Sequence, residues 1–291
     1  MAQTATTGNL ENAQKIILAT SRYTEEHNAP ALALIEQFTL PKGSKQVTVP
    51  KVGQMTMSDL VDGQDIIDEE EIGMTTVDLT ASEVGAKVIL TDKLVDQSSD
   101  NVMTMIGRQL GDGMARKKDS DVLALYTNLN GGEKLGAATK FFKASNVQAI
   151  IAYAKANKFG SQVYIVHHPN AVAYLAKEAA VVASQGTNAL SAGWAEDLLG
   201  NFWSGLRPMN GVSIFEDGNI TADASGDGIG VIADKGAMAA LTNVATNTEP
   251  QRDASMRATE LVLTADYGVF ELDDTKGAGL TYDIEVLGSA N

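Results

Sequence analysis

Two neighbouring stretches set the strongest limit on how this chain folds. From Lys45 to Leu90 the apolar positions recur every second residue. Val47 and Val49 alternate with polar side chains, Val77 and Leu79 do the same, and the run AKVILT ending at Thr91 is β-rich. Period two predicts extended strands, and Gly53, Gly63 and Gly73 punctuate the interval between them. From about Ser99 to Tyr126 the period changes. Val102, Met105, Ile106, Leu110 and Met114 recur at three- and four-residue spacing, which predicts a helix roughly 40 Å long at about 1.5 Å per residue. Such a helix is long for a compact domain of 291 residues. Gly107, Gly111 and Gly113 weaken it by up to about 1 kcal/mol each relative to Ala, so packing must hold it, and a bend is expected near Gly111.

The rest of the chain mixes both periods. Leu10, Ala13, Ile16 and Ile17 after Asn9 predict a lone amphipathic helix over residues 9–27, ended ahead of Pro30. Ser145 and Gln148 fit a capping box for a second helix, whose face is Val147, Ile150, Ile151 and Ala154 and whose closing residue is Gly160. The strand QVYIV follows, then a helix opened by His168-Pro169 and running to about Val182. Residues 184–230 are rich in Gly, Asn and Asp and hold Trp194 and Trp203; beyond them ATELVLTADYGVFEL and GLTYDIEVL read as long strands. This order is α+β and not a doubly wound parallel sheet.

Composition excludes several classes of function. With 44% hydrophobic and 20% charged residues the chain can bury a core, and the absence of cysteine removes disulfides, thiolate metal sites and cysteine nucleophiles. A net charge of −15 argues against tight binding of a phosphate backbone over the general surface. No secretory signal and no long apolar run is present, so a soluble intracellular product is expected.

The most concentrated charge is DIIDEEE, where Asp65, Asp68, Glu69, Glu70 and Glu71 place five carboxylates in seven residues. In an extended arm they point alternately to opposite faces, so they do not converge on a cation, and an exposed face seeking Lys or Arg is the expectation. Asp223, Ser225, Asp227, Gly228 and Asp234 match a calcium-loop spacing, but the helices that should flank such a loop are missing, and a Gly-rich turn is expected. Gly226, Gly228 and Gly230 lack the strand-to-helix setting of a dinucleotide site. His167 and His168 diverge in a strand and are expected at a strand end or first helical turn. No Gly-x-Ser-x-Gly elbow, phosphate loop or His-Glu-x-x-His is found. The competing class is an oxygen-ligand metal enzyme using Asp217, Asp223 and Asp227 with His167 or His168.

Taken in order, the block from Val47 to Tyr126, including VDLTASEVGAKVILTDKL and the helix with RKKDSDVL, resembles the extended hairpin (E-loop) and spine helix of tailed-bacteriophage major capsid proteins, the Hong Kong 97-like fold. The strand ending in HHP resembles the start of that family's apical (A) domain, and MRATELVLTADYGVFELDD the strands returning to its peripheral (P) domain. The resemblance implies an N-terminal arm over residues 1–42, an E-loop with flanking strands over 43–90, a P domain over 91–160 and 256–291, and an A domain over 161–255. It also implies a virion shell subunit with no catalytic residue, cofactor or metal, assembled in the host bacterial cytoplasm. Its partners are then copies of itself in hexamers and pentamers, a separate scaffolding protein, a portal, room for decoration proteins, and packaged double-stranded DNA held without tight specific binding, with no membrane. Encapsulin nanocompartments share the superfamily and are the alternative. Crosslinking by a loop lysine is not expected, since no lysine lies between Lys51 and Lys87. On this resemblance the carboxylates of the acidic stretch reach a neighbouring subunit and meet Arg116, Lys117, Lys118, Arg252 or Arg257.

Overall fold

The computed structural model describes residues 31–52, 74–97, 100–184 and 212–285. In chain order its elements are α1 (Ala31–Leu34), β1 (Glu36–Thr39), β2 (Val47–Val52), β3 (Met74–Leu79), β4 (Ser82–Thr91), α2 (Asp92–Gln97), α3 (Asp100–Leu125) and β5 (Leu135–Gly136). They continue with α4 (Ala144–Ala156), β6 (Val163–His167), α5 (Pro169–Ser184), β7 (Ser213–Glu216), β8 (Asp227–Asp234), β9 (Met238–Asp253), β10 (Ala258–Glu271) and β11 (Gly277–Asp283). The strands form a four-stranded sheet ordered β1-β9-β10-β4, a five-stranded sheet ordered β5-β11-β8-β6-β7, and the pair β2-β3. The predicted helix at 9–27, the acidic stretch and both tryptophans lie outside the described residues.

The five-stranded sheet is covered on both faces, so its central strands read as continuous apolar runs instead of alternating ones. Ile165 and Ile232 face α4 and α5, packing with Phe142, Val147, Ile151 and Leu175. Their neighbours Tyr164, Val166, Val231 and Ala233 face the opposite way, against Val122 of α3, Tyr126 just past its end, and Ala31 and Ile35. Each large apolar side chain so enclosed contributes about 1.5–3 kcal/mol. Nearer its N-terminus α3 leaves this sheet and lies on the other one, where Met114 packs with Leu263, Ala265 and Tyr267 of β10. One helix thus spans both sheets. It runs continuously through Gly107, Gly111 and Gly113.

Several local expectations are corrected. The capping box at Ser145 does not form: α4 starts at Ala144 after Lys143, with no side-chain cap. Nor does Gly160 close it. The residue that adopts the left-handed conformation is Lys158, at φ 54°. Phe159 N–H then donates to Ala154 O and Lys158 N–H to Lys155 O, the paired bonds of a Schellman ending, with buried Phe159 as its apolar plug. At α5 the expectation holds: Pro169 is the first helical residue, and His168 Nδ1 accepts from Asn170 N–H as the cap.

The sheets also cross the expected domain limits. Residues 277–283, placed with the P domain from sequence, pair with β8 in the five-stranded sheet, while 238–253, placed with the A domain, pair with β10 in the other.

Candidate assembly interface

The projecting hairpin starts from a firm base. Val47 lies opposite Leu79 and Val49 opposite Val77. Leu79 is fully buried with Leu40, Ala239 and Leu241, and Val47, Val49 and Val77 pack against that cluster together with Phe270 and Leu272. Lys51 Nζ donates to Asp273 Oδ1 at 2.6 Å, and the same oxygen accepts from Thr275 N–H and Oγ1. Burial pushes the Asp273 carboxyl up, but the bonds from Lys51 and Thr275 outweigh it and hold the group below its ordinary range. Residues 53–73, between β2 and β3 in sequence, lie outside the described residues.

A second projection is built by β9 and β10. Met238 to Leu241 are buried, whereas Asn243 to Gln251 are exposed throughout, so the strand leaves its own core and continues for roughly 30 Å at about 3.4 Å per residue. Sequence reasoning missed this length because TNVATNTEPQRD has no apolar alternation; its extended form is imposed by pairing with β10. Val244 and Met256 stand exposed on it at 48% and 46%. At its far end Arg252 makes a two-pronged pair with Asp92 of α2, one arm at 2.7 Å. That hydrogen bond holds the Asp92 carboxyl below its ordinary range. Arg257, exposed at the turn, has φ 50°.

The basic residues expected to receive the acidic stretch are placed as follows. Arg116 and Lys117 are exposed on α3, and Lys117 pairs with Asp121 one turn on at 2.5 Å. Lys118 is half-buried, donating to Thr246 Oγ1 at 3.1 Å with its ammonium over the Tyr267 ring. Burial lowers the Lys118 pKa. Lys117, Lys118 and Arg252 therefore have partners within their own chain, although the Lys117 and Arg252 side chains stay 51% and 52% exposed.

The residues of the metal-enzyme alternative each have local partners. Asp223 Oδ1 accepts from Ser225 and Asp227 N–H, closing the Gly-rich turn, and Asp227 Oδ1 accepts from Thr139 N–H. Asp227 and Asp234 stand at opposite ends of β8, too far apart to share an ion. His167 ends β6, buried between Phe142 and Tyr282, and burial first, then His168, holds its pKa down to about 3. Among the described residues no three His, Asp or Glu side chains gather as a metal site.

A family model described as "Phage capsid protein" matches residues 74–279, more than two thirds of the chain. This chain belongs to the phage capsid protein family. Comparison with curated sequences gives no match. Among solved structures, the capsid chain is similar to one from the head of Helicobacter pylori bacteriophage KHP40, at TM-score 0.67 and 12% identity over 90% of this chain and 94% of that one. It is similar to one from Mycobacterium phage Che8, at TM-score 0.60 and 16% identity over 84% and 86%. It is also similar to the SrpI encapsulin of Synechococcus elongatus PCC 7942, at TM-score 0.63 and 11% identity over 92% of both. The fold is the α+β, Hong Kong 97-like one expected from the sequence. As a major capsid protein it is a structural, self-associating component of the virion, and no helix among the described residues is long and apolar enough to cross a membrane.

Proposed function

We propose that copies of this subunit close an icosahedral shell around double-stranded DNA, joined through the two projections. The single observation that carries this is β9, whose outer part leaves the core with its side chains exposed and with Val244 and the nearby Met256 uncovered. Apolar area left open on one chain favours a neighbour by about 25 cal/mol per Å² covered. On this proposal the β2-β3 hairpin is the E-loop, the β1-β9-β10-β4 sheet with α3 is the P domain, and the five-stranded sheet is the A domain. Assembly takes place in the host bacterial cytoplasm with a separate scaffolding protein and a portal. The subunit has no catalytic role, and the net charge of −15 suits a lining that must release DNA.

The acidic stretch Asp65 to Glu71 is proposed to lie over a neighbour's Arg116, Lys117, Arg252 or Arg257. An Arg guanidinium has five donors, so the Arg252 pair with Asp92 leaves room for a second carboxylate. The second proposal, an encapsulin-like compartment, rests on the similarity to the SrpI encapsulin. Purified particles decide between them: nuclease-protected double-stranded DNA supports the virion, and a stoichiometric protein cargo with no DNA supports the compartment.

A further inference from the structure

Asp119 of α3 and Asp217, just past β7, are 1% and 0% exposed. Their carboxyl groups are hydrogen-bond neighbours. Asn219 ties them together: its side-chain amide donates to Asp119 Oδ2 at 2.9 Å and its backbone N–H to Asp217 Oδ1 at 2.8 Å. The other two oxygens, Asp119 Oδ1 and Asp217 Oδ2, are buried without a donor, and none of the described ion pairs reaches either group. Two buried carboxylates in contact do not both stay ionised without a cation or a proton between them.

We infer that Asp119 and Asp217 hold one proton between them, and that this shared proton latches the end of β7 to α3 where the helix passes from one sheet to the other. A hydrogen on one carboxyl gives the other its missing donor. Without it the junction contains two anions and two orphaned oxygens. Ala31, just before the four-stranded sheet, donates its backbone N–H to Asp119, so three parts of the fold meet at the latch.

Tyr126, Tyr164, His167 and Lys118 supply no competing charge to the pair. Tyr126, just past α3, and Tyr164 of β6 have buried hydroxyls, and burial pushes both phenols up, so they stay neutral. His167, whose carbonyl accepts from Asp217 N–H, is neutral, and the Lys118 ammonium is turned to Thr246 and Tyr267. Burial, then contact with Asp217 set against the bond from Asn219, pushes the Asp119 carboxyl up to about 7.

A raised carboxyl pKa means that the folded chain binds a proton the unfolded chain has released, so this contribution to stability falls as pH rises from about 4 to about 7. His167 acts in the opposite sense. Its depressed pKa means that the unfolded chain takes up a proton below about pH 6.5 that the folded chain does not, and the two effects offset between about pH 4 and 6.5. The wild-type profile alone is therefore uninformative, and the comparison must be with Asp119→Asn, which keeps the shape and removes the titration.

In urea unfolding of the full chain, the wild-type unfolding constant divided by that of Asp119→Asn is expected to rise about tenfold per pH unit between pH 5 and 7 and to level off above. Asp217→Asn, whose amide can donate where the shared proton sat, moves that rise to lower pH. At pH 8 the amides of Asp217 and Asn219 exchange hydrogen faster in the wild type than in Asp119→Asn. Infrared spectra of the wild type show a protonated-carboxyl band at pH 6 that is gone at pH 8.5, a readout that stands even if neither variant folds. A flat ratio, equal exchange or no such band overturns the inference. So does saturable stabilisation of the wild type, but not of Asp119→Asn, by magnesium or calcium at pH 8, which would put a cation in place of the proton.

Discussion

Lys51, on the outgoing strand of the projecting hairpin, is bound to Asp273, 222 positions later, at 2.6 Å. The pair fixes the hairpin to the turn that joins the two sheets. Because Lys51 is 41% exposed, Lys51→Ala should cost no more than about 1 kcal/mol of subunit stability. Asp273→Ala also removes the acceptor for Thr275 N–H and Oγ1 and should cost about 1–2 kcal/mol. The Asp273 pKa is lowered, so its contribution is present above its unfolded value of about 4 and is lost as pH falls through the folded value. Denaturant unfolding of both variants at pH 7 and below pH 4 checks the ranking and its loss in acid.

Lys158 and Gly160 should respond in opposite directions. Lys158 is exposed and sits at φ 54°, where a Cβ is strained, so Lys158→Gly should stabilise by up to about 1 kcal/mol. Gly160 has φ 136°, and a Cβ there would meet Asp234 Oδ1 at 2.5 Å. That carboxylate accepts from Gln162 and Gly236 N–H, so Gly160→Ala should destabilise by displacing it. Thermal unfolding of the two variants tests the assignment of the helix ending.

The glycines of α3 leave space unused. A Cβ at Gly107, Gly111 or Gly113 would meet nothing within 4 Å in the single chain. Alanine at each should therefore stabilise the subunit by up to about 1 kcal/mol. If the glycines serve close approach or bending in the shell, the triple variant melts higher yet forms fewer particles. Melting temperature and particle yield, measured on one preparation, separate the two effects.

Charge reversal tests the acidic stretch. Glu69→Lys with Glu70→Lys should leave the subunit folded and block or misdirect closure, because the arm would meet like charge on its neighbour. Each exposed pair contributes only about 0–1 kcal/mol, but a shell repeats it in every subunit. Wild-type assembly should also weaken with salt, since screening shortens the reach of exposed charges to about 8 Å at physiological strength and about 3 Å at 1 M. Normal particles with unchanged salt dependence would make the stretch a solvated surface.

What could be read from the residues followed from how directly a periodicity reports burial. The hairpin arms were legible because Val47, Val49, Val77 and Leu79 share one buried face, and the long helix because Leu110 and Met114 recur on the side that packs. The outer half of β9 was not, because it is held by the backbone groups of β10 while its side chains stay exposed. The α4 ending misled because Lys158, not the nearby Gly160, takes the left-handed turn, a strain held by the packing of Phe159. Asp119 gave no signal at all. It sits in RKKDSD, which reads as a solvated helix face, and only the fold brings it to Asp217. The basic residues were legible as charges, but their pairing with Asp92 and Asp121 depends on tertiary contacts that sequence spacing does not encode for Arg252 and encodes only as a one-turn neighbour for Lys117.

Electron cryomicroscopy of the purified full chain tests the central claim most directly. Closed icosahedral particles, or their hexameric and pentameric capsomers, are expected, with the β2-β3 hairpin of each subunit lying across its neighbour and the outer part of β9 covered. A small closed oligomer in which the hairpin folds back on its own subunit and β9 stays open to solvent would contradict it.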